Sequence, residues 1–251
     1  MVENILIPIV LDGASNVGKT SIFTHLGHYK DEISLIPTTG LNFRLNSYSI
    51  FNKAVNTLVW DLAGRQKFNF LREGFYKRAS CMILVCDITL RKTYKRFDYF
   101  IELADECKIR RENIILCANK ADLEKRRILS SNKLKELVKH YNLSTFIEIS
   151  ARSGTNVDIL FEYATVLGLH AQKRIKNSHF EFYKKNLEEI IKFDFQTFPK
   201  KKRKCWVCHK TIYYDEFLAS NNYLKNKRLR DLWNSKYLEF YCCSCYKEKF
   251  C

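Results

Sequence analysis

Apolar positions along the chain fall into short continuous runs, separated by stretches in which they recur at helical spacing. Ile5–Leu11 is one such run, and it stops at Asp12-Gly13, the pattern of a buried strand that gives way to a loop. Gly18-Lys19-Thr20-Ser21 then leads into a helix predicted over Ser21–Leu26. Leu41–Tyr48 and Ala54–Trp60 read as two strands around a turn at Asn52-Lys53. Cys81–Cys86, Ile114–Ala118 and Phe146–Ile149 are continuous apolar runs that suit strands covered on both faces. Helical patterns lie near 91–108, 131–141 and 156–170; in the last, Val157, Leu160, Phe161, Ala164 and Leu167 share one face. Strands alternating with helices predict a three-layer α/β domain around a mostly parallel sheet.

After residue 172 the pattern changes. Ile175, Phe180, Tyr183, Leu187, Ile190 and Ile191 can form one face of a further helix, which Phe198-Pro199 breaks. Lys200–Lys204 is an unbroken basic run. These breaks predict a first domain over 1–172, a helical linker over 173–200 and a small basic module over 201–251.

Composition sharpens that division. The 251 residues hold 43 Lys+Arg against 27 Asp+Glu, a formal charge of +16, and 46 % are hydrophobic. That apolar content excludes a disordered chain. No apolar run approaches the roughly 18 residues that span a bilayer, and Met1-Val2-Glu3-Asn4 lacks the basic start of a signal peptide. The expectation is a cytoplasmic protein, with peripheral membrane contact left open. Residues 1–172 carry a net charge of +6 and residues 173–251 a net charge of +10. Cys81, Cys86, Cys107 and Cys117 are scattered through apolar stretches and read as small core residues. Six further cysteines crowd into the last 47 residues.

Gly13-Ala14-Ser15-Asn16-Val17-Gly18-Lys19-Thr20 matches G-x-x-x-x-G-K-[ST]. Glycines let backbone N–H groups curl around phosphate oxygens, and the N-terminus of the following helix adds positive potential. Lys19 can reach the terminal phosphates, the Thr20 hydroxyl can bind Mg²⁺, and Ser15, Asn16, Val17 and Ser21 complete the loop. Asn119-Lys120-Ala121-Asp122 follows the run Ile114–Ala118, at the carboxyl end of a predicted strand where ligands bind in such sheets. A carboxylate there can accept from the ring N–H and exocyclic amine of guanine, a pair of donors adenine does not offer. Ser150-Ala151-Arg152 follows the next apolar run, and its backbone can contact the guanine oxygen.

Together these motifs resemble the small GTPases of the Ras superfamily, over residues 4–170. The phosphate loop, Trp60-Asp61-Leu62-Ala63-Gly64, Asp87-Ile88-Thr89 and Ser150–Val157 are similar to signatures of the Rab branch. Pro37-Thr38-Thr39-Gly40-Leu41-Asn42-Phe43 looks at least as much like the Arf branch. The resemblance implies a P-loop NTPase sandwich with a six-stranded sheet and one antiparallel strand. It also implies GTP/GDP and Mg²⁺ as ligands, and a monomer that meets effectors, exchange factors and GTPase-activating proteins. Thr38 lies 18 residues after Thr20, the family's spacing between two Mg²⁺-binding hydroxyls. By the resemblance Thr38 closes over Mg²⁺ in the GTP state, Asp61 holds Mg²⁺ through water, and the Gly64 N–H senses the γ-phosphate.

One departure stands out: Arg65 occupies the position where the family has Gln to orient the attacking water. A guanidinium only donates, and Gln66 is displaced by one residue, about 3.8 Å along the chain. Either hydrolysis is slow until a partner completes the site, or Arg65 acts in cis on the transition state; the first is favoured.

In the tail, Cys205-Trp206-Val207-Cys208 and Cys242-Cys243-Ser244-Cys245 are two C-x-x-C pairs with 33 residues between them. Two such knuckles make a tetrahedral Cys₄ zinc site, with disulfides, redox-active thiols or acylation as alternatives. The spacing exceeds the usual ~15–20 residues, so a helix or hairpin near Tyr223–Trp233 is expected inside. Cys243 and His209 are spare ligands, and Cys251 as a lone final cysteine fits neither prenylation signal. Lys200–Lys204 and Lys225–Arg230, interleaved with Trp206, Tyr213, Tyr214, Tyr223 and Trp233, suit nucleic acid, and equally an acidic protein surface or anionic lipid. The sequence thus predicts a GTP-binding switch, a slow GTPase, carrying a zinc module for docking or targeting. The alternative is a nucleic-acid-binding or scaffold protein in which the GTPase domain binds nucleotide with little hydrolysis.

Overall fold

The computed structural model describes residues 5–26, 41–51, 53–62, 69–196, 203–212, 240–241 and 244–245. They divide into two compact units, Met1–Glu188 and Glu189–Cys251. The first is built on a six-stranded sheet of order β2-β3-β1-β4-β5-β6. Its strands are β1 (Ile5–Gly13), β2 (Leu41–Ile50), β3 (Lys53–Leu62), β4 (Cys81–Asp87), β5 (Ile114–Asn119) and β6 (Thr145–Glu148). All neighbours are parallel except β2, which pairs antiparallel with β3 through a turn at Phe51, where φ is +50°. From β1 the chain builds outward first to β3 and β2, then back across to β4, β5 and β6. The strand order therefore reverses at β1, and the crevice beyond its carboxyl end is where ligands bind in such sheets.

Alternation along the strands decides which helix covers which face. Met82, Leu84 and Cys86 of β4 and Ile114, Leu116 and Ala118 of β5 share one core with Phe97, Phe100, Ile101 and Ala104 of α4 (Phe97–Glu106). Leu134 and Leu137 of α5 (Ser131–Tyr141) close the same core, as does Tyr76 of α2 (Asn69–Tyr76). On the opposite face the Cys81 thiol lies 3.2 Å from the Ala164 carbonyl of α6 (Val157–Ala171). There Gly168 lets α6 press onto β1, since a Cβ would meet Ile7 Cγ2 at 2.2 Å. Burial pushes the Cys81, Cys86 and Cys117 thiols up, which keeps them unreactive core residues, as the sequence predicts.

Two local expectations are corrected. β1 does not stop at Leu11 but runs through Asp12 to Gly13, with Asp12 fully buried. The helical pattern over 91–108 is two helices, α3 (Arg91–Tyr94) and α4, broken at Lys95-Arg96. The short helix α1 spans Lys19–His25, and α7 spans Asn177–Gln196, burying Phe180 and Leu187. Phe180 stacks on His170, and Phe51 stacks on His179.

In the second unit, β7 (Arg203–Lys204) and β8 (Thr211–Ile212) form an antiparallel pair. Among the described residues, Cys205, Ile212, Phe240 and Cys245 are buried together. The segment near Tyr223–Trp233 lies outside the described residues.

Candidate functional site

The loop between β1 and α1 is held in a shape that few residues tolerate. Gly13 has φ +145° and its missing side chain matters, because a Cβ would lie 2.3 Å from the Val85 carbonyl oxygen of β4. Gly18 has φ +94°, and a Cβ there would lie 2.4 Å from Asn119 Nδ2. Asn16 between them also has positive φ, +64°, the kind of backbone from which anion-binding nests are built. The Lys19 ammonium folds back over the loop and donates to the Gly13 and Ala14 carbonyls, each at 2.8 Å. Burial pushes its pKa down, while Asp12 and Asp61 pull it up. Thr20 and Ser21 follow at the start of α1, both exposed, as are Ser15 and Asn16.

Asn119, the last residue of β5, ties the loops of the site together. Its Nδ2 donates to the Val17 carbonyl at 2.8 Å, while its Oδ1 accepts from the Lys120 amide at 2.7 Å and the Ala151 amide at 3.0 Å. Lys120, in the left-handed region at φ +69°, donates to the Asn16 carbonyl at 3.2 Å and pairs with the buried Asp87 at 2.6 Å. Asp122 stands on the following 3-10 turn, where its Oδ1 accepts from the Ser150 hydroxyl at 2.6 Å. That contact aims the carboxylate, and the same hydroxyl accepts from the Ser153 amide at 3.2 Å. Arg152 is exposed next to it. From α1, His25 Nε2 donates to the Ala151 carbonyl, a contact with no signal in the sequence.

At the end of β3, Asp61 approaches the loop from the other side. Its Oδ2 accepts from the Thr20 hydroxyl at 3.0 Å and from Asn42 Nδ2 at 3.4 Å. Its Oδ1 is buried with no hydrogen-bond partner among the described residues. Burial pushes this carboxyl up, against the pull of those donors. A hydroxyl and a carboxylate with a spare oxygen form the hard-oxygen donor set that Mg²⁺ takes. Thr38, Gly64, Arg65 and Gln66 lie outside the described residues.

Three residues next to this site escaped the sequence reading. Asp12 Oδ1 accepts from the Gly13 amide at 2.7 Å, and its Oδ2 accepts from Arg72 Nε at 2.7 Å and the Tyr76 hydroxyl at 3.1 Å. Arg72 and Tyr76 belong to α2 and are buried. One carboxylate therefore joins the first amide of the loop to the helix that follows Asp61-Leu62-Ala63-Gly64. Burial pushes the Asp12 carboxyl up, against the Arg72 guanidinium that draws it down. An aspartate directly before the loop glycine was the available signal.

The second unit holds a separate cluster. The Sγ atoms of Cys205, Cys208 and Cys245 lie within 4.8 Å of one another. Thiolates around a tetrahedral zinc stand about 3.8 Å apart, so small adjustments would bring them into register. Cys242, the fourth predicted ligand, lies outside the described residues, as do Cys243 and Cys251. His209 is exposed with φ +57°, and it is the His209 amide that turns in, to the Cys205 carbonyl at 3.0 Å.

A glycine loop at the strand-order reversal, a lysine folded over it and base-side loops joined to it by one asparagine define a P-loop nucleotide-binding protein. Residues 8–167 match the Ras family, and the chain belongs to that family of GTP-binding switch proteins. Among its relatives, the Ras-related protein Rab-19 of Rattus norvegicus is 34 % identical over 63 % of this chain and 74 % of its own length. Rab-11A of Dictyostelium discoideum is 31 % identical, over 69 % and 80 % respectively. The GTP-binding protein ypt1 of Schizosaccharomyces pombe is 27 % identical, over 62 % and 76 %. These relatives mark the chain as a small GTPase of Rab type. The Ras family match ends at residue 167, before the cysteine cluster at 205–245.

Proposed function

We propose that this protein is a GTP-binding switch that hydrolyses GTP slowly and docks through a zinc-ordered, basic C-terminal module. The GTPase domain is read over residues 1–172 and the module over 201–251; of the connecting residues 173–200, those up to Glu188 belong to the first compact unit. The nucleotide reading rests above all on Asn119, whose single amide group holds both Val17 of the phosphate loop and Ala151 of the base-side loop. A ligand that fills both loops at once needs phosphates at one end and a base at the other.

In this reading the amides of residues 14–18 cradle the phosphates, the Gly13 amide being held by Asp12, and the Lys19 ammonium leaves its carbonyl partners for the terminal phosphate oxygens. Asp122, aimed by Ser150, accepts from the guanine N–H groups, and the Ala151 amide donates to the guanine oxygen. Mg²⁺, when bound, supplies neutralisation of the phosphate charge. Thr20 and Thr38 would hold it directly, with Asp61 acting through water. Thr38 and the Gly64 amide read the γ-phosphate, and its loss releases both loops.

Hydrolysis is in-line attack of water on the γ-phosphorus. Arg65 donates but cannot accept from that water, so the water is poorly oriented and the GTP state is long-lived until a partner completes the site. Arg65→Gln is expected to raise single-turnover GTP hydrolysis by about tenfold or more. An unchanged or slower rate would sink the slow-switch reading. The same purified sample, assayed for bound nucleotide, should carry GDP or GTP.

The zinc reading is supported by the convergence of Cys205, Cys208 and Cys245, with Cys242 as the proposed fourth ligand. Zn²⁺, when bound, would supply folding energy to a module this small. Elemental analysis should find about one zinc per chain, and Cys205→Ser should lose it while GDP retention by the first unit is unchanged. Full zinc content in Cys205→Ser would remove that residue from the ligand set.

A further inference from the structure

Between β7 and β8 the chain turns over residues 205–210, and two neighbouring residues of that turn are apolar and open to solvent. Trp206 is 62 % exposed and Val207 50 %. Lys204, His209 and Lys210 around them are exposed too, and in sequence the turn follows the run Lys200-Lys201-Lys202-Arg203. The turn is held from behind. The Cys205 amide donates to the Lys210 carbonyl at 2.9 Å and the Trp206 amide to the Phe240 carbonyl at 2.8 Å, while the Arg203 guanidinium lies 5.0 Å from the centre of the Phe240 ring. Trp206 thus has its backbone anchored to the unit's core and its indole directed away from it.

We propose that this turn docks on an anionic bilayer. Trp206 and Val207 enter the interfacial layer, while Lys204 and Lys210 pair with headgroup phosphates. The inference rests on the zinc reading, since the ion would tie Cys205 to Cys208 and so fix the backbone on either side of Trp206 and Val207. Charge and shape select the occupant. Indole rings partition to the headgroup level of membranes, and stable surface binding needs an apolar insertion together with a polybasic patch. A nucleic acid would ask for successive aromatic faces on which bases stack; on the described turn Val207 and Cys208 separate Trp206 from His209. A folded protein partner would ask for roughly 800 Å² of complementary surface, drawn from more than the six described residues of this turn.

The test uses the full-length, GDP-loaded protein and sedimentation with vesicles of phosphatidylcholine alone or with about 30 % phosphatidylserine, at about 0.1 M and about 0.5 M salt. Zinc content is measured in every sample. The protein should pellet with the anionic vesicles, stay in solution with the neutral ones, and bind more weakly at the higher salt. Trp206→Ala, and separately Lys204→Glu with Lys210→Glu, should each weaken anionic-vesicle binding by about tenfold or more with zinc and GDP content unchanged. Equal binding to neutral and anionic vesicles overturns the proposal, as does wild-type binding by zinc-replete Trp206→Ala. Trp206-dependent binding to a single-stranded oligoribonucleotide, tighter than to any vesicle, overturns it in favour of nucleic acid. Zinc-free protein that still binds anionic vesicles through Trp206 overturns the metal assignment and supports the surface.

Discussion

Arg72→Met is expected to destabilise the first unit by about 3–5 kcal/mol, because it leaves the Asp12 carboxylate buried without its cation. Both partners of that pair are almost fully enclosed, with side chains 3 % and 0 % exposed. The Tyr76 hydroxyl and the Gly13 amide would remain as donors, but neither carries charge. The comparison that isolates the cause is the double variant Asp12→Leu with Arg72→Met, which replaces the pair by apolar groups and should recover most of the loss. Urea denaturation at one fixed GDP concentration reads both quantities, since bound nucleotide itself adds to stability. If the single variant is as stable as the wild type, the pair does not hold α2 to β1. If the double variant is no better than the single, lost packing rather than an orphaned charge is the cause.

Asp122→Asn should raise the dissociation constant for GDP by about 10²- to 10⁴-fold, since two charge-assisted hydrogen bonds at about 1.5–3 kcal/mol each are at stake. The amide presents N–H to a base edge that itself donates, so one contact becomes repulsive. Xanthosine diphosphate carries a carbonyl oxygen where guanine has its amine and should bind the variant more tightly than GDP does. Competition against a fluorescent nucleotide measures both ligands on both proteins. A variant that still prefers GDP would mean that Asp122 does not read the base. Asp122→Ala should lose GDP affinity without gaining the xanthine nucleotide, which separates base reading from general damage to the loop.

The contrast between Asp122 and Asp12 shows what the sequence made legible. Asp122 sits in a four-residue motif after an apolar run, so its place at a strand end could be read locally. The continuous apolar runs likewise located β4 and β5, which are buried along their whole length. Asp12 looked like the end of a strand because a charge normally leaves the core. Its partner is 60 residues away in another element, and no periodicity links the two. The same limit hid the reach of Lys120 to Asn16, 104 residues apart, and the pairing of His25 with Ala151. The Lys95-Arg96 break between α3 and α4 was missed because apolar spacing at Phe97, Phe100, Ile101 and Ala104 stays in helical phase. β7 and β8 are two residues each, too short for any alternation to register. The convergence of Cys205 and Cys208 with Cys245 was readable because C-x-x-C spacing is a local geometric constraint, whereas Thr38, Gly64, Arg65, Gln66 and Cys242 lie outside the described residues.

The asparagine at the end of β5 has a consequence for how such a protein can change over generations. Its amide is shared by the loop proposed to meet phosphate and the loop proposed to meet the base, so on that reading neither drifts alone. A substitution that retunes base preference by shifting Asn119 also shifts Val17, and its fitness effect then depends on residues at the far end of the ligand. Variants at the two ends are therefore epistatic by construction, and a lineage can most easily explore new nucleotides through positions, such as Asp122, that Asn119 does not touch.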